Sequence, residues 1–331
     1  MKYMFYPGCS LHRSARPYLD SLTAIQDKLT MELQEVGDWN CCGATEYMSV
    51  YRTPAHALVG RNLALAQGQS NGTDILMAAC SACYLNLEKT EHYMRTDDKL
   101  NQEVNAALAE GGLHYDAGSV QVRHLLDVVY NDIGLEKIKS LVTKPLAGLK
   151  VAAYYGCMIV RPDINKRWNS PEYPTILEEL MGVLGAEVID FPMKTHCCSG
   201  HMTQISSDVA YELIRRLIYG ATQYKADILV TLCPMCQLNL DAYQIEMNKH
   251  FDTDYVVPIL YFTQLMGLAF GIDAGELGIG REFVSADPVL AKIGMAATKD
   301  LPENGSPPRK KKKEAGLPMP NLAARSKGGS Q

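Results

Sequence analysis

Short apolar runs alternate with amphipathic stretches along the first 95 residues, and the alternation begins again near residue 149. In the first half, "KYMFYP" at Lys2–Pro7 reads as a buried strand. "RPYLDSLTAIQDKL" follows as a helix with Leu19, Leu22, Ile25 and Leu29 on one face. "ELQEVGDWN" is a second extended stretch, "TPAHALVGRNLALAQ" a second helix, and "DILMAAC" a third, apolar strand. The second half repeats the scheme with "LKVAAYYGC", "YPTILEELMGVLG", "EVIDFP", "DVAYELIRRLIYGATQYKA" and "DILVTLC". Strands separated by helices predict parallel pairing, hence an α/β protein of two pseudo-symmetric Rossmann-like parallel-sheet domains. The predicted boundaries are 1–95 and 149–285 for the domains. A helical linker over 96–148 contains "NQEVNAALAEGG" and "VRHLLDVVYNDIG", and a tail over 286–331 is disordered on its own. The long uncharged run Tyr255–Ile272 is divided by Pro258, Thr263 and Gln264, which predicts a short strand and a short helix and not a membrane span.

All ten cysteines follow this duplication. Cys9, the adjacent pair Cys41-Cys42 and the C-x-x-C pair Cys80/Cys83 form one set; Cys157, Cys197-Cys198 and Cys233/Cys236 form the other. The intervals are 31 and 37 residues in the first set and 39 and 34 in the second, and "TDILMAACSAC" answers "ADILVTLCPMC". Vicinal cysteines make strained bridges, and a chain of this length does not depend on disulfide staples. Thiolate-rich metal chemistry is the alternative. Zinc closes with four ligands and five exceed that number; iron–sulfur clusters accept the same soft donors, either as a larger assembly or with four ligands and one working thiol. In both halves the cysteines lie just past the carboxyl ends of predicted strands, where open α/β sheets bind ligands. The C-x-x-C pairs open helices whose amide ends favour thiolate over thiol.

Bulk properties narrow the partners. A formal net charge of -5 and a pI near 5.9 give no electrostatic footprint for nucleic acid. "MKYMFYPGCS" runs straight into cysteine chemistry without a leader pattern, which predicts a cytoplasmic location. No GxGxxG flavin motif and no ferredoxin-type cysteine run occur, so any electrons come from other chains.

With its C-x31-CCG-x37-C-x-x-C arrangement and second copy, the chain resembles the heterodisulfide reductase B subunit, a family built on a duplicated cysteine-rich CCG domain. The resemblance covers nearly the whole chain to about Val284. It implies two noncubane [4Fe–4S] clusters, one on Cys9, Cys41, Cys42, Cys80 and Cys83, the other on Cys157, Cys197, Cys198, Cys233 and Cys236. It also implies cleavage of a disulfide between the clusters, or the reverse thiol oxidation, with electrons exchanged with a ferredoxin-like C-type subunit and a flavoprotein A-type subunit. Any membrane association would run through those partners. Similar subunits serve sulfur-oxidising heterodisulfide-reductase-like complexes that act on protein-bound sulfur, and succinate or fumarate reductases as electron relays. A non-enzymatic zinc scaffold is the reading from a different class. The second motif departs from the pattern: "CCSGHM" places Ser199 where the first has Gly43, so Ser199 either hydrogen-bonds a cluster sulfide or is merely tolerated.

Among other residues, His12, Lys194, His196 and His201 flank the cysteines and are candidates for donating a proton to a departing thiolate or binding an anionic substrate group. Tyr6, Tyr154 and Tyr155 read as packing that shields the cysteines. The basic run Arg309–Lys313 suits an acidic partner or membrane surface, and "LPMP" at Leu317–Pro320 suits ordering on a subunit.

Overall fold

Backbone pairing in the computed structural model, which describes residues 1–44 and 47–294, gives two sheets of four strands each. The first comprises β1 (Lys2–Tyr6), β2 (Glu32–Glu35), β3 (Ile75–Ala78) and β4 (Gln121–His124), in the order β2-β1-β3-β4. The second comprises β5 (Lys150–Tyr154), β6 (Glu187–Ile189), β7 (Ile228–Thr231) and β8 (Ile259–Tyr261), in the order β6-β5-β7-β8. Every pair is parallel, and the two orders are the same. Sequence pattern and position agree: the central strands β1, β3, β5 and β7 are apolar and almost wholly buried, whereas the edge strand β2 reads ELQE and stays largely exposed.

The interval 96–148 is mostly helical, with Asp98–Ala109 and Leu135–Leu141, but it also supplies β4 beside β3. In "QVRHLLDVV" four residues of strand run directly into helix, too few to leave a period to read. The run Tyr255–Ile272 divides as its sequence predicts, into β8 and the helix Phe262–Ala269. Structure continues past 285: Ala286 is fully buried, Asp287–Leu290 is helical, Lys292 pairs with Asp227 and the Gly294 amide donates to Ala147 O at 2.8 Å. The runs Arg309–Lys313 and Leu317–Pro320 lie outside the described residues.

Both sheets belong to one compact body, and the halves meet along two seams. In one, the helix Arg16–Gln26 packs on the helix Phe262–Ala269; Tyr18 stacks on Tyr261 with ring centroids 4.2 Å apart, and Ser21 Oγ lies 2.6 Å from Thr263 Oγ1. In the other, Trp168 sits edge-on to Tyr84 and His124, and Arg167 reaches Asp127 at 3.3 Å. Although burial opposes it, Arg123 holds Asp127 below the usual carboxylate range through a 2.7 Å ion pair.

Candidate functional site

The ends of β1 and β3 lie level, with Tyr6 opposite Ala78, so the residues that follow, Cys9 and Cys80, leave the sheet at one edge. Tyr154 opposite Thr231 does the same for Cys157 and Cys233. The C-x-x-C segments begin the helices Ser81–Thr96 and Pro234–Ala242, with Cys80 and Cys233 at the N-cap positions. Free amides at those ends stabilise negative sulfur.

The side chains holding the vicinal pairs are duplicated as faithfully as the cysteines. Tyr6 donates its hydroxyl to the carbonyl of Asn40, the residue before Cys41, at 2.7 Å; Tyr154 donates to His196 O, before Cys197, also at 2.7 Å. Asn86, three residues past Cys83, gives its amide to Cys42 O at 2.9 Å. Asn239, three past Cys236, gives its own to Cys198 O at 3.1 Å. Both asparagines are buried, and sequence reasoning had overlooked them. The signal was present: "CSACYLN" and "CPMCQLN" repeat the asparagine at the same offset. Gly8 and Gly156 complete the parallel, with φ of +68° and +69°. A Cβ on Gly8 would stand 2.8 Å from Cys83 Sγ, and one on Gly156 2.9 Å from Cys236 Sγ, so only glycine leaves room for those sulfurs.

Thiol pairing follows the same symmetry. Cys9 and Cys41 Sγ are 3.9 Å apart, and Cys42 and Cys83 Sγ 3.3 Å. Its contacts with Cys41 and Cys83 bring the Cys42 thiol down to about 4 despite its burial, while Cys41 is pushed up, by the contact with Cys42 and then by burial. In the second half the hydrogen bond with Cys157 brings Cys197 down to about 6, and Cys157 rises. Cys236 meets both Cys198 and Cys233. The two sets also neighbour each other: Cys80 and Cys233, equivalent positions, interact across the halves, which raises Cys80 and, after Cys236, lowers Cys233. Contact between equivalent residues is what a two-fold relation between the halves produces.

Ser199 adopts φ +88°, where its counterpart Gly43 has +62°. A side chain in that region costs about 1 kcal/mol, and here the Asn239 amide meets Ser199 Oγ at 3.2 Å in a buried setting. Of the flanking candidates, His201 lines the cavity over the first cysteine set, a space of about 320 Å³ that all five of those sulfurs border. His12 stacks on Trp39 and lies 3.2 Å from Glu35. His196 is exposed. Lys194 is buried outside that cavity, 2.6 Å from Glu178, whose other oxygen receives the Tyr155 hydroxyl at 2.5 Å.

Five convergent thiols per half, amide-rich helix starts and glycine-cleared space form a donor set that fits a thiolate-held iron–sulfur group. Ser81 Oγ, inside the first C-x-x-C, is buried without a partner among the described residues. Among those residues no three His, Cys, Asp or Glu side chains close on one point as a single ion would draw them. No helix among them is long and apolar enough to cross a membrane.

Comparison with known proteins agrees with this geometry. Residues 3–88 and 151–241 each match the CCG cysteine-rich domain family. The chain is 35% identical over 285 residues to the 8-methylmenaquinol:fumarate reductase membrane anchor subunit of Wolinella succinogenes, covering 86% of this chain and 98% of that one. It is 31% identical over 301 residues to the B subunit of the ferredoxin/F(420)H(2)-dependent CoB-CoM heterodisulfide reductase of Methanosarcina acetivorans, covering 88% and 97%. A protein of Archaeoglobus profundus described as similar to the heterodisulfide reductase B subunit is 31% identical over 298 residues, covering 88% and 98%. In fold alone the chain resembles the crystal structure of a hypothetical protein from Helicobacter pylori, with TM-score 0.67 and 14% identity over 86% of this chain; it spans about half (52%) of that one.

Proposed function

The chain belongs to the heterodisulfide reductase B-type family of duplicated CCG cysteine-rich domains, and on that premise we propose that it reduces a disulfide, or oxidises thiols in reverse, as one subunit of an iron–sulfur oxidoreductase. Cys9, Cys41, Cys42, Cys80 and Cys83 would hold one noncubane [4Fe–4S] cluster, and Cys157, Cys197, Cys198, Cys233 and Cys236 the other. Bound there, such clusters supply one-electron steps and iron open to sulfur, the two needs of S–S cleavage. The observation that supports this reading is the cavity bordered by all five cysteines of the first set and, across it, by Gly200, Pro234 and Met235 beside the cysteines of the second.

The chain's own residues hold the geometry. Tyr6 and Tyr154 fix the vicinal loops, Asn86 and Asn239 fix their carbonyls, and the helix starts at Cys80 and Cys233 stabilise thiolate. His201 is the flanking candidate in position to meet a departing thiolate. Electrons would be exchanged with a ferredoxin-like C-type subunit and a flavoprotein A-type subunit. Similarity to the fumarate reductase anchor protein supports a second reading, electron relay within such a reductase.

Anaerobic purification followed by iron, sulfide and zinc assay, with EPR, tests the proposal. Cys42→Ser and Cys198→Ser are each expected to remove one half's iron and its signal while sparing the other's. Full iron in either variant refutes the five-cysteine assignment for that half, and zinc without sulfide replaces the enzyme with a scaffold. Viologen-driven turnover of disulfides separates the reductase from the relay.

A further inference from the structure

Of the two asparagines that hold the vicinal pairs, Asn239 does more. Among the described residues the Asn86 amide has one acceptor, Cys42 O at 2.9 Å. The Asn239 amide, on a side chain only 2% exposed, has four within reach: Gly200 O at 2.8 Å, Cys198 O at 3.1 Å, Ser199 Oγ at 3.2 Å and Cys198 Sγ at 3.6 Å. Its two N–H groups are thus shared among acceptors of which one is a cysteine sulfur. Two successive residues at positive φ, Ser199 at +88° and Gly200 at +57°, wrap the chain after Cys198 round this amide. Other influences on the two sets are nearly matched. The backbone amide of Gly43 meets Cys41, and that of Ser199 meets Cys197. Nearby charges are paired on both sides, Arg61 with Asp38 and Lys194 with Glu178. Burial differs at one position, since Cys9 is exposed and Cys157 half-buried. Water at Cys9 favours an added electron in the first half, but Cys157 is itself partly wet, so the larger difference is the amide on Cys198.

We propose that Asn239 is a positioning residue that raises the reduction potential of the second half's iron–sulfur group above that of the first. The group on Cys157, Cys197, Cys198, Cys233 and Cys236 then takes the first electron from a one-electron donor; the donor loses one electron and the iron gains it. A sulfur bound to iron becomes more negative when the iron is reduced, and an N–H directed at that sulfur stabilises the reduced state more than the oxidised one. One such bond corresponds to about a tenfold shift in the reduction equilibrium, or about 59 mV for one electron. The inference rests on the iron–sulfur reading given above and adds to it the order in which the two groups are reduced.

The test is an EPR-monitored redox titration of full-length, cluster-loaded protein at about pH 8.5, above the ordinary range of histidine, with dithionite as the donor. Cys42→Ser and Cys198→Ser assign each signal to its half. In the wild type the second half's midpoint is expected to lie at least about 59 mV above the first's, a tenfold difference. Asn239→Ala is expected to bring the second midpoint down by about that amount and leave the first in place. A midpoint is read from occupied centres alone, so partial loss of iron does not disturb it; with complete loss, the wild type and Ser199→Gly decide. Ser199→Gly keeps the asparagine and removes one competitor for its N–H groups, so the second midpoint should hold or rise. Equal wild-type midpoints, or a higher one in the first half, overturn the inference, as does an unmoved second midpoint in Asn239→Ala or a fall in Ser199→Gly. Two signals in the wrong order leave the iron–sulfur reading standing; wild-type protein without acid-labile sulfide overturns both.

Discussion

Gly8 and Gly156 each leave the space that a cysteine sulfur of the same half occupies, and each does so at a positive φ. Alanine at either position meets two penalties, about 1 kcal/mol for the left-handed backbone and a displaced Cys83 or Cys236. Gly8→Ala is therefore expected to lower iron content in the first half alone, and Gly156→Ala in the second, as read by iron per chain and EPR. His56 poses a different residue-scale problem. Buried against Thr90 at 2.8 Å, it is brought down to about 4 by burial, with Arg52 and Lys89 adding to it; burial brings His124 to about 4 as well. The unfolded chain takes up protons near the ordinary 6.5, whereas the folded chain refuses them until about 4. Stability contributed by neutral burial is therefore complete above 6.5 and declines as pH falls towards 4. A fully buried imidazole displaced this far costs about 2 kcal/mol at pH 5. Denaturant midpoints at pH 7 and 5 should differ accordingly, and His56→Asn should narrow the difference; an unchanged gap would show that His56 is not its source.

At the scale of strands and helices, each cysteine loop hangs from a β-strand tyrosine on one side and a helix asparagine on the other. Asn86→Ala or Asn239→Ala leaves a buried carbonyl unpaired, at about 1–3 kcal/mol. The expected result is a lower melting temperature together with cluster loss confined to one half; equal loss in both halves would contradict the separate suspension of the loops. The strand-and-helix alternation, the duplication and the placement of all ten cysteines past strand ends were legible in the sequence, because apolar runs and spacing carry them directly. β4 was not, since its four residues merge into the apolar helix behind them. Nor were the asparagines, whose importance shows only when the two C-x-x-C segments are aligned beyond the second cysteine. The role of Ser199 needed backbone angles: its positive φ and the Asn239 contact were hidden behind an apparently broken motif.

For the whole molecule, the two halves are bound by aromatic seams on both flanks of the meeting point of Cys80 and Cys233. Tyr18 and Tyr261 close one flank, and Trp168 with Tyr84 and His124 the other. Trp168 comes from the 158–175 segment after β5, so the second half reaches over to lock the first. Trp168→Ala is expected to cost about 3 kcal/mol and to broaden the unfolding transition as the halves lose cooperativity; calorimetry that keeps one sharp transition would argue that the other seam suffices.

The closeness of Cys80 and Cys233 has a further consequence for handling. Before metal is loaded, molecular oxygen can take two electrons and two protons from these neighbours and weld residue 80 to residue 233, closing a loop of some 150 residues. Air-exposed, metal-free material should therefore migrate faster than its reduced form on denaturing gels without reductant. Peptide mapping should recover that crosslink, and reconstitution with iron and sulfide should fail until dithiothreitol reopens it.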